Sequence, residues 1–251
     1  MKELSNIAVI LVRPKYAENI GSVARIALNM GVEQLWIVGV DSIDREAAGK
    51  TATHNAAHLL DKARFAANFS EVVPHFSMLI GTTARVGRGR RPTSWPDQLA
   101  APLRPYLHSG KAGLVFGPEN TGLGNDILKH CGMLTTIPTA QFSSLNLAQS
   151  VGILCYELRK GLLQGVADQN QAFYPKQPAK EQELAAMYLE ATRLFESLDT
   201  AAGQAKTDFH LKYMHQLLGR AVVTSKEAKL IKDACRDLVE AVENTKTEAS
   251  K

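Results

Sequence analysis

Cysteine is scarce in this chain of 251 residues: Cys131, Cys155 and Cys235 are odd in number and far apart. That excludes a disulfide framework, offers no zinc-ligand spacing, and fits thiols kept reduced inside a cell. Long apolar runs are missing too. The opening "MKELSNIAVILVRPKYAENI" holds too short a run for a secretory signal, and no stretch reaches the length of a membrane span. A cytoplasmic location and no membrane partner are the expectation. The familiar phosphate-binding signatures are absent as well. "VFGPENTGLGNDIL" is not G-x-G-x-x-G and lacks the GK[ST] ending of a P-loop, so neither a dinucleotide nor a nucleoside triphosphate is its natural ligand. His54 and His58 sit four apart, as metal ligands can, but without a supporting set of acids or cysteines, and no metal is expected.

Acids are lacking in one more place. "ARVGRGRRPTSWP" carries Arg85, Arg88, Arg90 and Arg91 with no acid before Asp97. Two readings stay open: a solvated basic loop, or a loop that grips phosphates. The net charge of +4 is too mild to decide between them.

What is present alternates. "NIAVILV" (6–12), "QLWIVG" (34–39), "SMLIGTT" (77–83), "AGLVFG" (112–117) and "MLTTIP" (133–138) are short continuous apolar runs, as in buried parallel strands. Between them lie a helix over "ENIGSVARIALNMG", ending at Gly31, a helical or irregular stretch over 44–61, and a helix at "NDILKHC". Strands alternating with helices predict a mostly parallel α/β sheet covered on both faces. Near Gly165 the pattern changes. The polar, proline-containing stretch over 166–180 suits a linker between a first domain (1–165) and a small all-helical C-terminal domain (181–251). There, Leu184, Met187, Tyr188, Ala191, Leu194, Phe195 and Leu198 form one helical stripe. Phe209, Tyr213, Met214 and Leu217 suggest a second helix. Thr224 and Glu227 fit a capping box for a third, with Ile231, Ala234, Leu238 and Val242 expected inward.

Three segments place polar or small residues where a strand gives way to a helix, the position at which open parallel sheets bind ligands. The first holds Asn19, Gly21 and Arg25, with Gly21 read as allowing close backbone approach. The second holds Gly117, Pro118, Glu119 and Asn120. The third is "IPTAQFSSLNLAQSVGILCYEL", a helix apolar nearly all round whose entrance is Ser143-Ser144-Leu145-Asn146. One cap would satisfy its first turn; three polar side chains are also what a ligand site needs.

"NIGSVARIALNMG", "LVFGPENTGL" and "IPTAQFSSLNLAQSVGILCYE", in that order, resemble the three motifs of the SPOUT methyltransferases of the TrmH class. "IGTTAR", the pair Trp95-Pro96 and the helical tail make the chain most similar to the TrmJ group, which methylates the ribose 2′-hydroxyl of nucleotide 32 in the tRNA anticodon loop. The resemblance spans about residues 6–165 strongly and the tail weakly. It implies a C-terminal deep trefoil knot in the sheet, a homodimer with shared sites, tRNA as partner, and S-adenosylmethionine as cofactor. Cofactor binding would fall to Thr82, Thr83, Ala84, Gly117, Ile137, Ser143, Ser144 and Leu145. Catalysis would fall to Arg25, oriented with the ribose by Asn19, Glu119, Ser144 and Asn146. An arginine is effectively never deprotonated, so Arg25 is expected to grip the adjacent phosphate and favour the developing alkoxide. The Arg85–Arg91 loop and the helical tail are the expected tRNA contacts. Within the same class, a 2′-O-methyltransferase acting on ribosomal RNA or another tRNA position remains open. So do a non-catalytic RNA-binding protein on this scaffold and an ordinary doubly wound nucleotide enzyme, the last weakened by the missing phosphate loops.

Overall fold

The computed structural model describes residues 3–84, 94–164, 178–198 and 204–249. Arg85, Arg88, Arg90 and Arg91, and most of the expected linker, lie outside the described residues. Six strands form one parallel sheet: β1 (Ile7–Val12), β2 (Gln34–Val38), β3 (Arg64–Ala66), β4 (Met78–Thr82), β5 (Ala112–Phe116) and β6 (Met133–Thr135). Their order is β3-β2-β1-β5-β4-β6. The sheet grows outward from β1 to β3, then returns to the other side of β1. Neighbouring β5, β4 and β6 therefore end beside one another and beside the turn after β1.

Strand residues alternate between two cores, as pleating requires. Val9, Leu11, Leu35, Ile37, Ile80, Leu114 and Phe116 face α1 (Ala17–Asn29), α2 (Arg45–Asp61), the helix Ala100–Ser109 and the helix Leu147–Gln164. In chain order the remaining first-domain helices are α3 (Phe69–Val72), α4 (Ala100–Ser109), α5 (Asn125–Leu128) and α6 (Leu147–Gln164). The opposite strand faces, with Ala8, Ile10, Val12, Trp36, Val38, Leu79, Val115 and Leu134, pack on Phe69, Val72, Phe76, Leu123, Ile127 and Leu128. Both faces are covered, which is why the strands read as continuous apolar runs.

Three elements before residue 165 carried no sequence expectation: β3, the single-turn α3 and α4. β3 is three residues long with Arg64 and Phe65 exposed, too short and too polar for an apolar run. Helix α4 contains Pro105, which costs a helical hydrogen bond. Burial of Leu103, Tyr106 and Leu107 offsets that cost, at roughly 1.5–3 kcal/mol for each large side chain.

The described tail is three helices: α7 (Glu181–Leu198), α8 (Gln204–Ala221) and α9 (Ser225–Ala249). Thr224 and Glu227 form the expected capping contacts, with Thr224 N donating to Glu227 Oε2 at 2.8 Å. The expected inward face of α9 is met in part: Ile231 packs against the tail's core and Val242 is half-buried. Ala234 and Leu238 are exposed; Ala228, Cys235 and Val239 are buried. The sequence has apolar residues at both settings, and packing against α7 selects the one that brings Cys235 in. Phe209, Tyr213 and Leu217 do lie on α8 but face outward, while Leu211 and His215 are buried. Leu198, at the end of the α7 stripe, is exposed as well.

The tail docks at the amino ends of the strands. Lys111 N, just before β5, donates to Glu181 Oε1 at 3.2 Å. Tyr106 Oη donates to the Gly219 carbonyl at 2.8 Å, and Lys129 pairs with Asp208 at 2.9 Å. His215 is buried there, its ring stacked on Tyr188 at 3.6 Å.

Candidate active site

The carboxyl ends of β4, β5 and β6 open into one cavity of about 270 Å³. It is lined by Thr82, Thr83 and Ala84 after β4, by Gly117 after β5, by Ile137 after β6, and by Ser143, Ser144 and Leu145 before α6. All eight residues that the family resemblance points to for the cofactor thus meet at one place. Backbone bonds hold the walls: Thr83 N donates to the Thr135 carbonyl at 3.0 Å, and Thr82 Oγ1 to the Val115 carbonyl at 2.9 Å. Gly117 is required by the turn that follows it. A Cβ there would lie 2.2 Å from the carbonyl carbon of Gly122, whose own φ is +66°. Thr135 also lines the cavity, and its buried Oγ1 has no hydrogen-bond partner among the described residues. Sequence reasoning passed over Thr135, because a threonine inside a strand carries no signal of its own.

Beside this cavity the three segments are joined by hydrogen bonds. Asn19 Nδ2 donates to Glu119 Oε1 at 2.8 Å, and Lys15 N to Glu119 Oε2 at 3.0 Å. Asn146 Nδ2 donates to Asn19 Oδ1 at 2.9 Å. Asn146 Oδ1 accepts from Ala148 N at 2.8 Å and Gln149 N at 3.3 Å, capping α6. The polar mouth of α6 therefore divides its work: Asn146 is both cap and link, while Ser143 and Ser144 stay exposed to the cavity.

Burial by itself would raise the pKa of Glu119. Hydrogen bonds from the Asn19 side chain and from the backbone of Glu119, Lys15 and Tyr16 more than offset this and hold the carboxyl below its ordinary value. Glu119 is thus an ionised acceptor with both oxygens engaged, suited to orienting Asn19 and poorly suited to accepting a proton.

A second, more open cavity of about 430 Å³ is lined by Tyr16, Glu18, Asn19, Glu119, Ser144, Leu145 and Asn146. It shares Glu119, Ser144 and Leu145 with the first. Arg25 lines neither cavity. It is exposed on α1, six residues beyond Asn19, hence about 9 Å along the helix and roughly 120° round it. At Gly21 the expected close backbone approach is present, and the backbone is that of α2. A Cβ there would fall 1.9 Å from the Ala48 carbonyl oxygen, so this glycine serves the contact of α1 with α2 and not a ligand. Among the described residues no group of three His, Cys, Asp or Glu side chains is placed to hold a metal.

A parallel sheet with its cavity at adjoining strand ends, and a helix mouth tied to two other segments, defines an α/β protein with a built ligand site. The chain belongs to the SpoU rRNA Methylase family, whose model matches residues 6–156. It is 38% identical over 156 residues to the tRNA (cytidine-2'-O-)-methyltransferase TrmJ of Methanocaldococcus jannaschii, covering 61% of this chain and 66% of that protein. It is 32% identical over 241 residues to the tRNA (cytidine/uridine/adenosine-2'-O-)-methyltransferase TrmJ of Pseudomonas aeruginosa, covering 91% and 92%. The crystal structure of TrmJ from Z. mobilis ZM4 superposes with a TM-score of 0.72 at 30% identity, over 92% of this chain and 98% of that one.

Proposed function

We propose that this protein methylates the ribose 2′-hydroxyl of a tRNA nucleotide, position 32 of the anticodon loop, using S-adenosylmethionine. One observation carries the reading: the Glu119–Asn19–Asn146 chain ties the three family motifs together on the border between a half-enclosed cavity and an open one. Such a border can hold a donor on one side and an acceptor on the other. That these relatives are tRNA 2′-O-methyltransferases supports the substrate class. Position 32 rests on the resemblance to the TrmJ group.

The residues present fit the cofactor. The orphaned Thr135 Oγ1 is a hydrogen-bonding group awaiting a partner in a cavity of suitable scale, surrounded by small side chains and backbone. Thr82, Thr83, Ala84, Gly117, Ile137, Ser143, Ser144 and Leu145 would hold it. When bound, it supplies an electrophilic methyl group.

The protein's own residues then do positioning. Holding two reacting centres in attack geometry is worth roughly 7–11 kcal/mol. Glu119 fixes the orientation of the Asn19 amide, Asn19 fixes that of Asn146, and Asn146 fixes the mouth of α6 from which Ser144 faces both cavities. Arg25 lies away from the cavities of its own chain, which supports a homodimer in which it serves the partner's site. There its guanidinium grips a phosphate and favours the developing alkoxide. Arg85, Arg88, Arg90 and Arg91 are proposed phosphate contacts for the tRNA. The deep trefoil knot belongs to this reading; in keeping with it, Ile137, Ser143, Ser144 and Leu145, after β6, line one cavity with Ala84, after β4, and Gly117, after β5. Cytoplasmic location belongs to it also, in keeping with three buried free thiols.

The test is methylation of total RNA from a strain lacking the enzyme, with labelled S-adenosylmethionine and mapping by mass spectrometry. A 2′-O-methyl at tRNA position 32 supports the reading. A label on ribosomal RNA, or elsewhere in tRNA, keeps the chemistry and overturns the substrate.

A further inference from the structure

Tyr16 lines the open cavity, and its work in the fold is done by its backbone and not by its ring. It is 58% exposed, and its ring meets no other aromatic ring among the described residues. It occupies the N-cap position of α1, yet its side chain makes no capping hydrogen bond. A serine or asparagine there would satisfy a helix donor that tyrosine leaves open.

The backbone beneath this ring is fixed. The Tyr16 carbonyl accepts from Asn19 N at 3.1 Å and Ile20 N at 3.3 Å. The preceding Lys15 N is bonded to Glu119, and Pro14 before it is buried. The ring is thus carried on a rigid turn, one helical turn from Asn19, at the rim of a cavity that also holds Glu119, Ser144 and Asn146. Lys15, exposed, directly precedes it on the same turn.

We infer that Tyr16 is the stacking platform for the base of the target nucleotide. The inference rests on the proposed 2′-O-methyltransferase reading and deepens it. A ribose that reaches the border of the two cavities must bring its base out of the RNA stack, and an unstacked base needs an aromatic face to replace the one it left. Every base has a π-face, so a single tyrosine admits a purine or a pyrimidine without reading its edge. More than half of the Tyr16 surface is exposed, on a cavity of about 430 Å³ that it lines with Asn19, Glu119 and Ser144, which leaves room for a planar ligand. The exposed Lys15, next to Tyr16 in the chain, suits a phosphate that flanks such a nucleotide.

The test uses the full chain with total tRNA from a strain lacking the enzyme, comparing Tyr16→Ala and Tyr16→Phe. Tyr16→Ala is expected to raise KM for tRNA about tenfold or more, the scale of one lost base–aromatic stack. Tyr16→Phe should stay within about twofold, since the face is kept. Titration with S-adenosylmethionine alone should give the same Kd for all three proteins. A tRNA carrying 2-aminopurine at the methylated position should lose fluorescence on binding the unaltered protein and the Phe variant, but not the Ala variant. Unchanged KM for Tyr16→Ala overturns the inference, as does equal loss in Tyr16→Phe, which would assign the work to the hydroxyl. Weakened cofactor binding in Tyr16→Ala would move the ring to the cofactor's side and overturn it too. An unaltered protein that binds S-adenosylmethionine and methylates no RNA brings down the functional reading itself, and the platform with it.

Discussion

Asn146 Nδ2 donates to Asn19 Oδ1 at 2.9 Å, joining the mouth of α6 to the first turn of α1 across 127 positions of sequence. Because Asn146 also caps α6 and Asn19 also donates to Glu119, one amide orientation fixes the next. An asparagine amide can be turned over only by breaking every bond it makes, so the chain is rigid as a unit.

The two jobs of Asn146 can be separated. Asn146→Ala is expected to lose the cap and about 1 kcal/mol of stability in urea denaturation, together with at least about a hundredfold in kcat, the scale on which misplaced groups act. Asn146→Asp keeps an acceptor for Ala148 N but sets a carboxylate against Asn19 Oδ1. Its stability should stay near that of the unaltered protein while its activity falls as far as in the alanine variant. Full activity in the Asp variant would show that the link to Asn19 does no work.

Arg25 can be tested for action across a dimer. Arg25→Ala should abolish methylation with cofactor affinity intact. Mixed dimers of Arg25→Ala and Asn19→Ala subunits should regain activity, since one site then has both an intact Asn19 and the partner's arginine. Silent mixed dimers would place Arg25 in its own subunit's site.

Gly21→Ala should behave as a packing mutation. Its Cβ would lie 1.9 Å from the Ala48 carbonyl oxygen, and relief requires α1 and α2 to part. Overpacking of this kind costs about 1–3 kcal/mol. We expect a lower Tm with an unchanged Kd for S-adenosylmethionine. A changed Kd at constant Tm would return Gly21 to the ligand site.

The docking of the tail should depend on pH. Burial, with a smaller contribution from His130, pushes His215 from 6.5 down to about 3. Burial, then the charge of Lys129, pushes His130 down to about 4, against Asp208 and Asp126, which raise it. Both rings are neutral in the folded protein. The unfolded chain takes up protons first as pH falls below 6.5, so stability is full above that value. It declines progressively as pH drops through 6.5 toward 4. Urea denaturation at pH 7.5, 6 and 5 (about one and a half units apart or less, spanning the ordinary histidine value) should show falling stability, and His215→Phe should flatten the slope. An equally steep slope in that variant would place the titration elsewhere.

Glu119 should add a smaller acid dependence at lower pH. Its folded pKa is lowered, so its contribution is present above the ordinary carboxylate range and lost as pH falls through the folded value. The carboxyl is half-buried and partly screened by solvent, which keeps that contribution modest. Glu119→Gln should remove it and leave the histidine-range slope untouched.

The sequence by itself determined the alternation of strands and helices, because buried parallel strands must be apolar at every position and helices must show a stripe. It determined the capping box at Thr224 and the three polar strand-to-helix segments, because those signals are local. What only the tertiary structure decided depends on partners far along the chain. In α9 the sequence pointed to Ala234 and Leu238 as inward, and packing on α7 turns Cys235 and Val239 inward instead. Gly21 read as a place of close backbone approach, and only the fold shows that the backbone is that of α2. Thr135 gave no signal because its significance is a missing partner in a cavity built by three strand ends. Tyr16 carried no signal in the sequence, because Glu119 and Asn146, which share its cavity, come from distant parts of the chain. The tail's helices were predictable from their stripes, but its seat at the amino ends of the strands, away from the cavity, was fixed by Tyr106, Lys111 and Lys129, whose contacts no local pattern encodes.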